Sequence, residues 1–110
     1  MTYKDIADML ESTGLSCAYY SFPEGNVPAL PYIVFYYPNN NPEMADNKIH
    51  ATITALNVEL YTKNKDFTTE QTVEAVLNAN ELPFNKSETY LTDEHMYEVL
   101  YQTEVAIDPE

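Results

Sequence analysis

The imidazoles, the thiol and the carboxylates are the groups in this chain with chemistry to offer, and their spacing offers little. His50 and His95 are the only imidazoles. Asp93, Glu94, His95 and Glu98 together hold the oxygen and nitrogen donors that a divalent metal accepts. They fall in a turn that leads into a strand, where neighbouring side chains diverge, so a solvated acidic turn is the expected reading. His50 is expected on an exposed strand, as a surface residue rather than a pH or metal sensor. Cys17 is the single cysteine. It can form no internal disulfide and no multi-cysteine zinc site, and no cation flanks it to activate a thiolate. A half-buried thiol in a reducing compartment is therefore expected. No serine sits in a nucleophile elbow. With 18 Asp and Glu, close carboxylate pairs are inevitable, but acid–base catalysis needs a cleft and no motif marks one. The expectation is a chain without enzymatic activity and without a cofactor.

Composition narrows the partners. The 110 residues are 45% hydrophobic and 21% charged, which fits a single domain over 1–110 with one modest core. Five lysines, Lys4, Lys48, Lys63, Lys65 and Lys86, stand against the 18 acids with no arginine, for a net charge of −13. Phosphate neutralisation needs clustered cations and base reading favours arginine, so sequence-specific nucleic-acid binding is not expected. Attachment to an anionic membrane fails for the same reason. Two glycines, Gly14 and Gly25, cannot build a phosphate-cradling loop. The N-terminal Met1-Thr2-Tyr3-Lys4-Asp5 lacks a signal-like apolar core, and the longest apolar run, 32–37, is far below the roughly 18 residues of a membrane helix. A cytoplasmic, soluble protein is expected.

The elements that must position any site are legible in the periodicity. Residues 2–13 read as a helix with a Thr2–Asp5 capping box, apolar positions at Ile6, Met9 and Leu10, and Gly14 as its stop. A short strand follows over 15–21, then a turn at Phe22-Pro23-Glu24-Gly25 and a proline-punctuated loop. The strand 32–37 is apolar on both faces and so requires covering twice, by its own fold or by a neighbouring subunit. Pro38 to Asn47 reads as a long surface loop. Lys48 to Lys63 alternates, but its apolar parity switches near Ala55-Leu56, which predicts a bulge or a change in the covered face. Its length predicts a projecting hairpin arm. Thr68 and Gln71 have capping-box spacing and predict a helix over 68–80 with Val73, Val76 and Leu77 as its stripe. Strands over 84–91 and 96–107 complete the order α-β-β-β-α-β-β. In the last strand Tyr97, Val99, Tyr101, Thr103, Val105 and Ile107 face one way. The predicted class is α+β, a mostly antiparallel sheet with two helices on one face.

Two features stand above this background. Ten tyrosines concentrate in the strands, at Tyr19-Tyr20, Tyr32, Tyr36-Tyr37, Tyr97 and Tyr101. Tyrosine serves both ordinary strand packing and surfaces that are buried on association. The acidity serves solubility, or a surface that repels or imitates nucleic acid. Several segments also resemble a known group of proteins. Ala18-Tyr19-Tyr20-Ser21-Phe22-Pro23-Glu24-Gly25, Pro28 to Tyr37, Ala45-Asp46-Asn47, Leu56 to Phe67 and Met96 to Tyr101 are similar to small virion structural proteins of Gram-positive phages and prophages, the head–tail joining and tail terminator (tail completion) proteins.

That resemblance implies a small α+β domain assembling into a hexameric ring between capsid connector and tail tube, with DNA passing through. It implies homo-oligomers that form on the particle, with the isolated chain a monomer, alongside head-completion or tail tube partners. It places the protein in the host cytoplasm during assembly and then in the virion. Within it, Tyr32, Tyr36 and Tyr37 are the expected subunit interface. Glu43, Met44 and Asp46 are the expected lumen or inter-ring loop. An acidic lumen lets DNA slide, because like charges prevent the counterion release that traps it. Two other classes compete. An acidic DNA mimic requires carboxylates in two phosphate-like rows, and a small-molecule or catalytic domain requires a concave pocket with convergent polar groups.

Overall fold

Thr2 opens the first helix by the reciprocal cap its spacing predicts. Its hydroxyl accepts from the Asp5 amide at 3.0 Å, and the Asp5 carboxylate accepts from the Thr2 amide at 2.9 Å. Helix α1 runs Tyr3–Glu11 and buries Ile6, Met9 and Leu10. The computed structural model describes residues 1–41 and 52–108, and every structural statement below concerns those residues. Gly14, at φ +83°, turns the chain out of α1 as expected.

The remaining elements are β1 (Ser16–Tyr19), β2 (Tyr32–Tyr36), β3 (Asn40–Asn41), β4 (Thr52–Thr62), α2 (Phe67–Ala79), β5 (Asn85–Leu91) and β6 (Met96–Ile107). They form one sheet in the order β1-β2-β4-β6-β5, with the short β3 also on β4. Only the β1–β2 pairing is parallel; the other described pairings are antiparallel. The two helices and the sheet face beneath them share one core. Ile6, Met9 and Leu10 of α1 and Val73 and Leu77 of α2 meet Ile33, Phe35, Leu56, Val58, Leu60, Val99 and Tyr101. This is the α+β order that the periodicity predicts.

Four expectations are corrected in detail. First, α2 is capped by Asp66, not Thr68. The Asp66 carboxylate accepts from the Thr69 amide at 3.0 Å and from the Thr69 hydroxyl at 2.6 Å. Aspartate is at least as good an N-cap as threonine, and taking it lets the helix start one residue earlier. Second, β4 carries no bulge. Its ladder with β6 is unbroken from Thr52↔Ile107 to Thr62↔Tyr97. The irregularity lies in the partner instead. Tyr36 opposes Asn57 while Asn40 opposes Thr54, so Tyr37, Pro38 and Asn39 face only Leu56 and Ala55 across the ladder.

Third, the described part of β4 does not project. It is the central strand, paired along its length, which is why Leu56, Val58 and Leu60 are wholly buried. The expected arm residues 48–51 lie outside the described residues. Fourth, Asn40 and Asn41 extend the sheet rather than belonging wholly to a loop. The rest of the expected loop, with Glu43, Met44 and Asp46, lies outside the described residues.

Candidate functional site

Alternation along β2, β4 and β6 sends every second side chain to the face without helices. That open face carries Tyr32, Val34 and Tyr36 of β2, Asn57, Glu59 and Tyr61 of β4, and Glu98, Leu100 and Gln102 of β6. The registers Tyr32↔Tyr61, Val34↔Glu59, Tyr36↔Asn57 and Tyr61↔Glu98 place them side by side. The loop after β1 folds partly over it. Phe22 meets Tyr32 edge-on at 5.1 Å, Tyr20 meets Tyr36 at 5.9 Å, and Tyr32 meets Tyr61 at 5.3 Å. Val34 is thereby buried from its second side, so the double covering expected of the strand is provided in part by the chain itself.

At the centre of this face one hydroxyl serves two carboxylates. Tyr61 Oη lies 2.9 Å from Glu59 Oε1 and 2.9 Å from Glu98 Oε2. A phenol has one proton, so Tyr61 donates to one carboxylate at a time, while Glu59 also accepts from Tyr36 Oη at 3.4 Å. Burial holds Glu59 above the usual carboxylate range, reinforced by the Glu98 charge and opposed by the hydrogen bonds from Tyr61 and Tyr36. Burial and the same two carboxylates push the Tyr61 hydroxyl far up. Asn57 Nδ2 donates to Tyr36 Oη at 3.2 Å and extends the network along the strand.

The helix side organises its charge in the opposite way. Glu70 of α2 is 1% exposed, with Lys65 Nζ at 2.7 Å and Lys86 Nζ at 2.8 Å. Lys65 also pairs with Glu88, and Lys86 pairs with Glu74 at 2.8 Å. Tyr101, fully buried, donates to Glu74 at 2.8 Å. Burial pushes the Glu70 carboxyl up, but the two ammonium groups outweigh it and hold it below the usual range. With Lys4 paired to Asp8 at 2.7 Å, three lysines are occupied by the chain's own carboxylates.

Of the three tyrosines expected at an interface, Tyr32 and Tyr36 share the open face and Tyr37 does not. Tyr37 turns to the helix side, where it meets Tyr3 at 5.0 Å and Tyr19 at 5.7 Å beside Phe35. Its hydroxyl is buried with no described partner, and burial pushes it up to about 12. These rings line a cavity of about 770 Å³ together with Asn39 and Thr54. Cys17 is half-buried and burial pushes its thiol up to about 11, which keeps it a thiol at neutral pH. Asp93, Glu94 and His95 are exposed in a turn, and His95 adopts φ +53°. No group of three metal-ligating side chains forms among the described residues. His50 lies outside them.

Sequence reasoning missed both charge networks. The signal for the first was an acid inside the apolar stripe of α2, three residues before Val73. The signal for the second was the Glu59-Leu60-Tyr61 alternation, which puts an acid and a phenol on one strand face. Comparisons with protein-family models, with curated proteins and with solved structures returned no match. Among the described residues no helix is long and apolar enough to cross a membrane.

Proposed function

We propose that this chain is a non-enzymatic virion structural protein, a subunit of a ring at the head–tail junction or the tail end of a long-tailed phage, through which DNA passes. The observation that carries the reading is the open sheet face. It presents Tyr32, Tyr36 and Tyr61 beside Val34 and Leu100, with no described helix above them. Half-buried tyrosines and aliphatics on a helix-free face suit a surface completed by a second protein. The segments that resemble head–tail joining and tail terminator proteins include β2, much of β4 and the first half of β6, the strands that build this face. The acidity adds support. A net charge of −13 repels DNA, as a conduit requires.

In this reading Tyr32 and Tyr36 contact a neighbouring subunit, and the chain is a monomer in the host cytoplasm until the particle templates its ring. The DNA-mimic alternative has less support, because Glu70, Glu74 and Glu88 are engaged with lysines rather than set in solvent-facing rows. Electron microscopy of particles assembled without this protein tests the proposal. Tailless heads or overlong tails are the expected result, and intact joints with tails of normal length overturn it.

A further inference from the structure

The open face also holds a concavity of about 300 Å³ between the loop after β1, the strand faces and the β5–β6 turn. Its walls include the rings of Phe22, Tyr32 and Tyr61, and two carboxylates, Glu59 and Glu94, border it. Val34 supplies an apolar surface in the same wall. No lysine lines it. The helix side shows what this set of groups holds. There Lys86 Nζ sits 2.8 Å from Glu70, 2.8 Å from Glu74 and 5.9 Å from the Tyr101 ring centroid. Lys65 likewise pairs with carboxylates and lies 4.8 Å from the Phe67 ring. The open-face pocket has the same acceptors, aromatic rings and carboxylates, without the ammonium.

We propose that this pocket binds a lysine side chain presented by another polypeptide, its ammonium beside the rings of Phe22, Tyr32 and Tyr61 with the carboxylates of Glu59 and Glu94 bordering the pocket, its methylene stem along Val34. An ammonium within about 6 Å of several ring faces gains from each ring's quadrupole, and more when partly desolvated. A tethered lysine is favoured over a free amine by the rim. Tyr20 and Val27 border the pocket while 71% and 56% exposed, an apolar margin that a polypeptide covers and a small amine leaves wet. Tyr20 is held at φ +70°, an uncommon conformation for a tyrosine, fixed by its amide donating to the Phe35 carbonyl at 2.8 Å. The inference does not depend on the ring reading, since it concerns one side chain and one pocket.

The test is an NMR titration of the full chain with Nα-acetyl-lysine N-methylamide, the isosteric norleucine amide and n-butylammonium. Saturable shifts confined to Phe22, Tyr32, Tyr61 and their neighbours are expected with the lysine compound. They are expected to weaken at least fivefold in Glu59→Gln and in Glu94→Gln, the latter an exposed turn substitution that leaves the fold intact. Equal binding of the norleucine amide overturns the proposal, as does undiminished lysine binding in both variants. Binding of n-butylammonium with exclusion of the lysine amide also overturns it, and identifies a free-amine site instead.

Discussion

At the scale of single residues, the buried Glu70 and the half-buried Glu59 have opposite electrostatics, and pH separates them. Glu70 titrates below its ordinary value of 4.5 in the folded chain, because Lys65 and Lys86 outweigh its burial. A depressed carboxyl stabilises the fold above the unfolded value and loses that contribution as pH falls through the folded one. Glu70→Gln is therefore expected to lower stability by about 2 kcal/mol at pH 7, below the full cost of breaking a buried pair because both lysines reach solvent. It should also flatten the acid limb of the stability curve below pH 4.5, as measured by urea denaturation across pH. Glu59 is raised above 4.5, so its contribution is fully present below that value and is lost as pH rises through the folded one. Glu59→Gln should leave stability at pH 7 unchanged or higher. A loss there as large as that of Glu70→Gln would mean that Glu59 is a stabilising anion. Neither role was legible in the sequence, because burial of an acid depends on which lysines the tertiary fold brings beside it. Lys65 and Lys86 come from the approach to α2 and from β5.

At the scale of elements, local chemistry was legible wherever a periodicity and a cap pointed the same way. The Thr2 capping box and the buried face of Ile6, Met9 and Leu10 needed nothing beyond α1 itself. The α2 cap was misassigned because Asp66 and Thr68 both offer oxygen at usable spacing, and only the direction of entry chooses between them. Asp66→Ala is accordingly expected to cost about 1 kcal/mol, while Thr68→Ala stays within about half of that, read by thermal or chemical denaturation. The parity switch in β4 marks neither a bulge nor a change of covered face: Thr54, Leu56, Val58, Leu60 and Thr62 stay buried on one face, while Ile53 and Ala55 are half-buried on the other. The sequence of one strand carries its own alternation but not the register of its neighbour, and here the extra residue lies in Tyr37–Asn39. The central position of β4 was equally hidden, since length alone suggested an arm. Leu56→Ala, in the middle of that strand and wholly buried, is expected to cost about 3 kcal/mol by the lost transfer energy and the cavity left behind. The same faces separate the tyrosines. Tyr37→Asp puts a carboxylate in a half-buried aromatic cluster on the helix side and should unfold or strongly destabilise the monomer. Tyr36→Asp, on the open face, should leave the monomer folded by circular dichroism while blocking its incorporation into particles.

At the scale of the whole molecule, the governing quantity is a net charge of −13 on 110 residues with most described lysines already paired. In the proposed ring, neighbouring copies would repel one another, and their association would be driven by the half-buried aromatic and aliphatic surface of the open face against that repulsion. Salt acts on the two terms differently. Raising ionic strength from 0.1 M to 1 M shortens the screening length from about 10 Å to about 3 Å, which removes most of the repulsion between exposed carboxylates. Burial of apolar surface is not weakened by that screening. Self-association of this chain is therefore expected to strengthen with sodium chloride, measured as the weight-average sedimentation coefficient across a protein concentration series at each salt. Binding to nucleic acid has the opposite sign, because phosphate neutralisation releases counterions and weakens steeply as salt rises. An interface built on lysine–carboxylate pairs also weakens with salt, so the lysine pocket and the tyrosine face make contrary demands on one experiment. Association that grows with salt and disappears in Tyr36→Asp assigns the assembly energy to the open face. Association that falls with salt assigns it to ion pairs, and the tyrosine face must then be given up as the subunit interface.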